Sequence, residues 1–316
     1  MTDLHSFDAE ALKRLRFSGH ESFACRYAWL PKAYRGLKAN GRLFSNEDDA
    51  MVVLGLGKNM VRALRFWVEA MGVAELDKKT RDLKPTEFGE AVFGEGGFDP
   101  FLEDPRTLWL VHWNLSSRHE GALFAWRYLI GHWPLPEFTR SEALAEFRRL
   151  SSNHGLEHST VTLSQHLDVF LHTYQSARTA VTGVEDSLDG PLVGLGLLMP
   201  VGERRSEEGR WEPVYSFRRE PKPEISTLLF DYCLRDFWER HHPREQQITY
   251  RMAALGPASP GQVFKLPEDD MRGRLEAGGV GKPRGFTYQP SAIQGQLTRK
   301  GRAPTLAEVY GAKLDA

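Results

Sequence analysis

The 316-residue sequence predicts a mainly α-helical protein with small β-hairpins: an N-terminal winged helix-turn-helix, a helical pack, and a second winged-helix-like region. Three observations carry this expectation. Between Asn46 and Phe93, a capped short helix and a glycine turn lead to a helix with apolar residues at three- and four-residue spacing, and a hairpin and a further helix follow. Two tryptophan-rich segments, 106–115 and 123–133, are apolar nearly all round, as buried helices are. A fainter helix-then-hairpin order returns at 159–217.

Taken in order, residues 1–16 are polar with weak helical patterning and read as an arm. FSGHESF at 17–23 follows, and 26–37 forms an amphipathic helix carrying Tyr27, Trp29, Leu30 and Leu37, with Pro31 tolerated in its first turn. Ser45 or Asn46 caps a short helix through Leu54, and Asp48 and Asp49 suit its positive end. Gly55 and Gly57 break it. From Lys58 to Met71 a second helix buries Val61, Leu64, Val68 and Met71, and Gly72 ends it. Residues 73–76 and 81–85 flank a charged tip as a hairpin, and Thr86 caps a last helix. Helix, glycine turn, helix, hairpin, helix is the winged order, and it assigns 17–95 to one domain.

A glycine-rich loop leads to the two tryptophan-rich helices and to an amphipathic helix at 141–150 opened by Ser141, which together make a helical pack at 96–155. The second winged-helix-like domain, 156–243, holds a helix at 159–174, a short helix at 185–194 leading to a strand at 195–199, a charged tip, a strand at 213–217 and a helix at 224–241. Residues 244–316 alternate turns with short helices at 267–276 and 305–314.

Composition narrows the function. The chain is 41% hydrophobic and 26% charged, ordinary for a soluble globular protein. A net charge of −1 gives no global attraction to nucleic acid or an anionic membrane, so electrostatic binding requires a local patch. Two distant cysteines, Cys25 and Cys233, exclude a disulfide framework and read as reduced thiols. Neither a signal-peptide core nor a membrane-length apolar run is present, so a cytoplasmic protein is expected.

Lys58, Arg62 and Arg65 share one helix face opposite the apolar stripe, and Asn59 starts that helix where a recognition helix places its first base contacts. Lys78, Lys79 and Arg81 cluster at the hairpin tip, with Lys84 following. From 54 to 84, seven basic residues face Glu69, Glu75, Asp77 and Asp82, a local surplus of three. Arginine and asparagine suit base edges, and lysines suit phosphates. The plainer reading is a solvated helix face and a charged turn. In FSGHESF, His20 and Glu21 could form an acid–base pair or half a metal site. The motif is not HExxH, and satisfying buried backbone groups explains it more simply. The glycines at 55 and 57 lack phosphate-loop spacing. No catalytic signature is present, so a non-enzymatic protein is expected, without metal or cofactor.

FSGHESF at 17, LGLGKNMVRALRFW at 54, LKPTEFGEAVF at 83 and GGFDPFLEDPRTLWLVHW at 96 resemble the prokaryotic domain-of-unknown-function family 4007. EDSLDGPLVGLGLL at 185, FDYCLRDFW at 230 and SPGQVFKL at 259 extend the resemblance over most of the chain. It implies a place beside genes for DNA phosphorothioation and anti-phage defence, and supplies no catalytic residues. The combined expectation is a regulator or targeting subunit contacting duplex DNA through Lys58, Asn59, Arg62, Arg65, Lys78, Lys79 and Arg81. The alternatives are an adaptor docking other proteins of such a system and, behind it, a metal-dependent hydrolase using His20 and Glu21. Other proteins of the system are expected partners, and self-association as a homodimer is compatible with all three.

Overall fold

A computed structural model describes residues 12–156, 158–176, 190–277, 284–291 and 294–311. Most of the expected N-terminal arm and the start of the short helix expected near 185 lie outside them.

The N-terminal part runs through α1 (Trp29–Ala39), α2 (Glu47–Leu54), α3 (Lys58–Ala70), β1 (Ala74–Leu76), β2 (Leu83–Pro85) and α4 (Glu87–Phe93). The Asn46 side chain accepts from the Asp48 N–H, and Thr86 accepts from Gly89, so both caps act as the sequence leads one to expect. Gly55 closes α2 in the left-handed conformation at φ 61°, which a β-carbon would strain. β1 and β2 pair antiparallel, with Glu75 opposite Lys84. Tyr27 departs from expectation. It precedes α1 and is exposed, because the helix starts at Trp29.

Behind this unit, α5 (Pro105–Ser116), capped by Asp104, buries Trp109 and Trp113. The second tryptophan-rich segment contains a π-helical stretch, Trp126–Ile130. Trp67, Trp109, Trp113, Trp126 and Trp238 are all essentially inaccessible and belong to one apolar cluster running through the molecule. Trp67 and Trp126 meet edge to face at 5.9 Å. Each of these side chains contributes on the order of 3–5 kcal/mol against truncation to alanine.

The next segments are β3 (Glu137–Thr139), α6 (Arg140–Asn153), α7 (Thr160–Tyr174), a 3₁₀ turn Pro191–Leu195, β4 (Leu198–Arg205) and β5 (Trp211–Phe217). Thr139 rather than Ser141 starts α6, and it forms a reciprocal capping box with Glu142. The charged stretch expected as a loop or hairpin tip is the tip of the β4–β5 hairpin, with β4 continuing to Arg205, which faces Trp211. β3 pairs with β5 although it lies before residue 155, so this sheet crosses the boundary expected there.

After α8 (Thr227–His241) come β6 (Gln247–Thr249), α9 (Tyr250–Leu255), α10 (Pro260–Val263), α11 (Glu268–Glu276), β7 (Phe286–Gln289), β8 (Gln296–Arg299) and α12 (Leu306–Val309). Residues 244–316 therefore hold a sheet that turn signals alone did not reveal. The two three-stranded sheets are ordered β3-β5-β4 and β6-β8-β7. In both, the first strand of the chain pairs with the third, and helices intervene before the hairpin. The C-terminus returns to the beginning: Tyr310 stacks on Phe98 at 4.6 Å and its hydroxyl meets Thr107 Oγ1 at 2.7 Å. Among the described residues no helix is long and apolar enough to cross a membrane.

Candidate nucleic-acid interface

The stripe of Val61, Leu64, Phe66, Trp67 and Val68 fixes how α3 lies, because these side chains are buried. Lys58, Asn59, Arg62 and Arg65 are consequently exposed, and the helical pack does not cover them. Gly57 at the start of α3 supplies no capping side chain, so its first N–H groups stay open.

The exposed face is not bare of acid. Glu47 of α2 accepts from Arg62 Nε at 2.6 Å and Nη2 at 3.1 Å, and Lys58 Nζ lies 3.3 Å from it. The Arg62 hydrogen bonds hold the Glu47 carboxyl below its usual range. Arg65 pairs with no carboxylate among the described residues. On α2, Val52 and Val53 are 83% and 64% exposed.

The hairpin tip is built by Asp77, whose Oδ1 accepts from the N–H groups of Lys79 at 2.8 Å and Thr80 at 3.0 Å. Lys84 pairs with the other oxygen, and this bond first among the causes pushes the Asp77 carboxyl well down. Asp82 ties the hairpin to the body, accepting from Ser45 Oγ at 2.6 Å with Arg42 3.7 Å away. Lys78, Lys79 and Arg81 project at the tip, exposed and without a carboxylate partner among the described residues. The acids of this region thus neutralise Lys58, Arg62 and Lys84, and leave Arg65 and the three tip residues.

FSGHESF reaches this exposed face only with Glu21, whose charge Arg62 feels. His20 is 3% exposed, and its Nε2 lies 3.1 Å from Nδ1 of His166 on α7. His166 Nε2 accepts from the Ala125 N–H at 3.0 Å. His20 Nδ1 accepts from the Ser22 N–H at 3.2 Å. Burial first, then the Arg16 charge, lowers the His20 pKa to about 4, and burial holds His166 well below its ordinary value. Gly19 at φ 109° lies against Phe66, where a β-carbon would come within 2.8 Å of the ring. Glu21 and Ser22 also take positive φ, at 48° and 63°, which stores on the order of 1 kcal/mol or more at each. Trp67 Nε1 donates to Phe23 O at 2.8 Å, so the motif clasps the inner face of α3 to α7. The exposed Glu21 and the buried, neutral His20 do not share a solvent-facing site. Among the described residues no group of three or more His, Cys, Asp or Glu side chains is placed to hold a metal.

Glu47 was not legible as part of the interface, because its pairing with Arg62 spans a turn and 15 residues. Nothing in the spacing signals it.

The model of the family described as "Protein of unknown function (DUF4007)" matches residues 17–310. No curated protein matches the chain. Among solved structures, the "Magnesium ion-bound SspB crystal structure" is similar at a TM-score of 0.80 and 27% identity, covering 96% of this chain and 89% of that one. The "SspB crystal structure" is similar at a TM-score of 0.78 and 26% identity, covering 95% and 90%.

Proposed function

The chain belongs to the DUF4007 family, and on that premise we propose that it is a DNA-contacting regulator or targeting subunit of a prokaryotic DNA-modification or defence system. In this reading α1 to α4 with the β1–β2 hairpin form a winged helix: α3 enters the major groove and the hairpin lies along flanking phosphate. The two later units, each with strand, helices and hairpin in the same order, are winged helices as well. The observation that carries the reading is the set of exposed basic side chains, Arg65, Lys78, Lys79 and Arg81, that no described carboxylate neutralises. The open N–H groups at the start of α3 add a second feature suited to phosphate. The family's expected association with DNA phosphorothioation supplies the context.

Fluorescence anisotropy of duplex DNA against salt concentration tests the proposal. Each phosphate contact contributes about 0.9 to the slope of log affinity against log salt, so Arg65→Ala and Lys79→Ala should each flatten it by about that much. No binding to any duplex, modified or unmodified, rules the reading out.

The exposed Val52 and Val53 favour a second reading, an adaptor that docks a partner protein of the same system through α2. A complex with such a partner that survives Arg62→Ala and Arg65→Ala, and is lost in Val52→Asp, supports docking over DNA contact. The magnesium in one similar structure is that protein's. For this chain we propose a non-enzymatic role, and incubation with supercoiled plasmid and magnesium checks it directly: a regulator leaves both strands intact.

A further inference from the structure

Arg127 stands inside the π-helical stretch, a local widening of the helix that recurs at functional positions. Its Nη1 is shut off from water and has no acceptor, while the side chain as a whole keeps a partly open edge. Among the described residues no carboxylate pairs with the guanidinium and no acceptor is placed on it. Burial pushes its pKa down to about 10, with no opposing charge to restore it. A desolvated cation without a partner is expensive to hold. Arg118, Arg140 and Arg240, by contrast, each meet acceptors.

His241 and the charged groups beyond it do not relieve this cost. The His241 ring feels the Arg127 charge, and its Nε2 donates to Ser117 O at 2.8 Å. Burial first, and then Arg127, keep it neutral, with a pKa of about 3. His119, exposed, stacks obliquely on His241 at 5.3 Å. Arg118 and Arg240 lie close enough to repel each other, and their carboxylates are already engaged, Glu69 with Arg16 and Arg118, Asp236 with Arg240. No described carboxylate thus offsets the Arg127 charge.

We propose that the unpartnered guanidinium of Arg127, between the π-helical stretch and the last turn of α8, takes a phosphate-class oxyanion. A planar guanidinium fork matches two oxygens of a tetrahedral oxyanion. The site is separate from the exposed face of α3 and does not depend on the DNA reading. The anion is either a free oxyanion or a phosphodiester of bound nucleic acid.

Thermal unfolding of the full chain in sodium phosphate, sodium sulfate and sodium chloride at matched ionic strength tests it. Phosphate and sulfate stabilise proteins in general, so the readout is the difference between wild type and variant. The wild type should gain about 2–4 °C more from phosphate than Arg127→Met does. In chloride Arg127→Met should melt at or above the wild-type temperature, because an unpaired buried charge is gone. A variant that responds to phosphate as the wild type does, or that melts well below it in chloride, overturns the site. Should Arg127→Met not fold, Arg127→Lys keeps the charge and loses the fork; an undiminished phosphate response there also overturns it. Titration with a short duplex separates the sources: weaker binding by Arg127→Met assigns the anion to the DNA backbone, and unchanged binding assigns it to a free oxyanion. The phosphate response should persist in Arg65→Ala, so its loss at Arg127 reads independently of the proposed DNA face.

Discussion

At the scale of single residues, Glu47 decides how much positive charge α3 presents. It neutralises Lys58 and Arg62 together, although exposed ion pairs of this kind contribute little to stability. Glu47→Gln should leave the melting temperature within about 1 °C and free both cations. If α3 contacts DNA, duplex affinity rises and the salt slope steepens, by up to about 1.8 if both cations then reach phosphate; an unchanged slope would place Lys58 and Arg62 away from the backbone. The sequence exposed the basic residues, since their spacing is a local property. Their counter-charge stayed hidden because it comes from the preceding helix, across a turn set by Gly55. Caps were the most legible features for the same reason of locality: Asn46 and Thr86 each bond a backbone N–H two or three residues on.

At the scale of elements, helices were readable and strands largely were not. The strands β3 and β6 are three residues long and find their partners dozens of residues away, so no alternation is long enough to register. Thr139 shows how closely the two kinds of element are joined, since it ends β3 opposite Val214 and caps α6. Its N–H donates to Glu142 Oε2 at 2.8 Å, and its hydroxyl accepts from the Glu142 N–H at 3.3 Å. Thr139→Ala should cost about 1 kcal/mol. It should move the urea midpoint without changing the slope, because the surface exposed on unfolding stays the same. A change in slope would instead mean that the β3–β5 pairing had loosened with the cap.

For the whole molecule, acidity is the sharpest expected stress. His20 and His112 have pKa values lowered to about 4, His241 to about 3, and His166 lies well below its ordinary value, in each case chiefly through burial. The unfolded chain takes up these protons near pH 6.5, before the folded chain does. The stability of the neutral rings is therefore fully present above about pH 6.5 and is lost as the pH falls toward 4. Asp231, raised to about 6 by burial against the pull of Arg284, and Asp236, raised by burial, work in the opposite sense over part of that range, but they are two carboxyls against six lowered histidines, His158 and His242 included. Melting temperature should fall steadily between pH 7 and 4.5, and a flat profile would mean that the rings are solvated in the native state.

The contact of Tyr310 with Phe98 and Thr107 has a further consequence, for synthesis. Thr107 meets its partner across 203 residues of chain. At ribosomal speeds of about 5–20 residues per second, that partner arrives roughly 10–40 s later. His20 likewise waits for His166, 146 residues downstream. The N-terminal unit is therefore made first and completed last. Until Phe264 is made, Trp109 and Trp113 lack the ring they pack on, and the nascent chain is then open to aggregation and proteolysis.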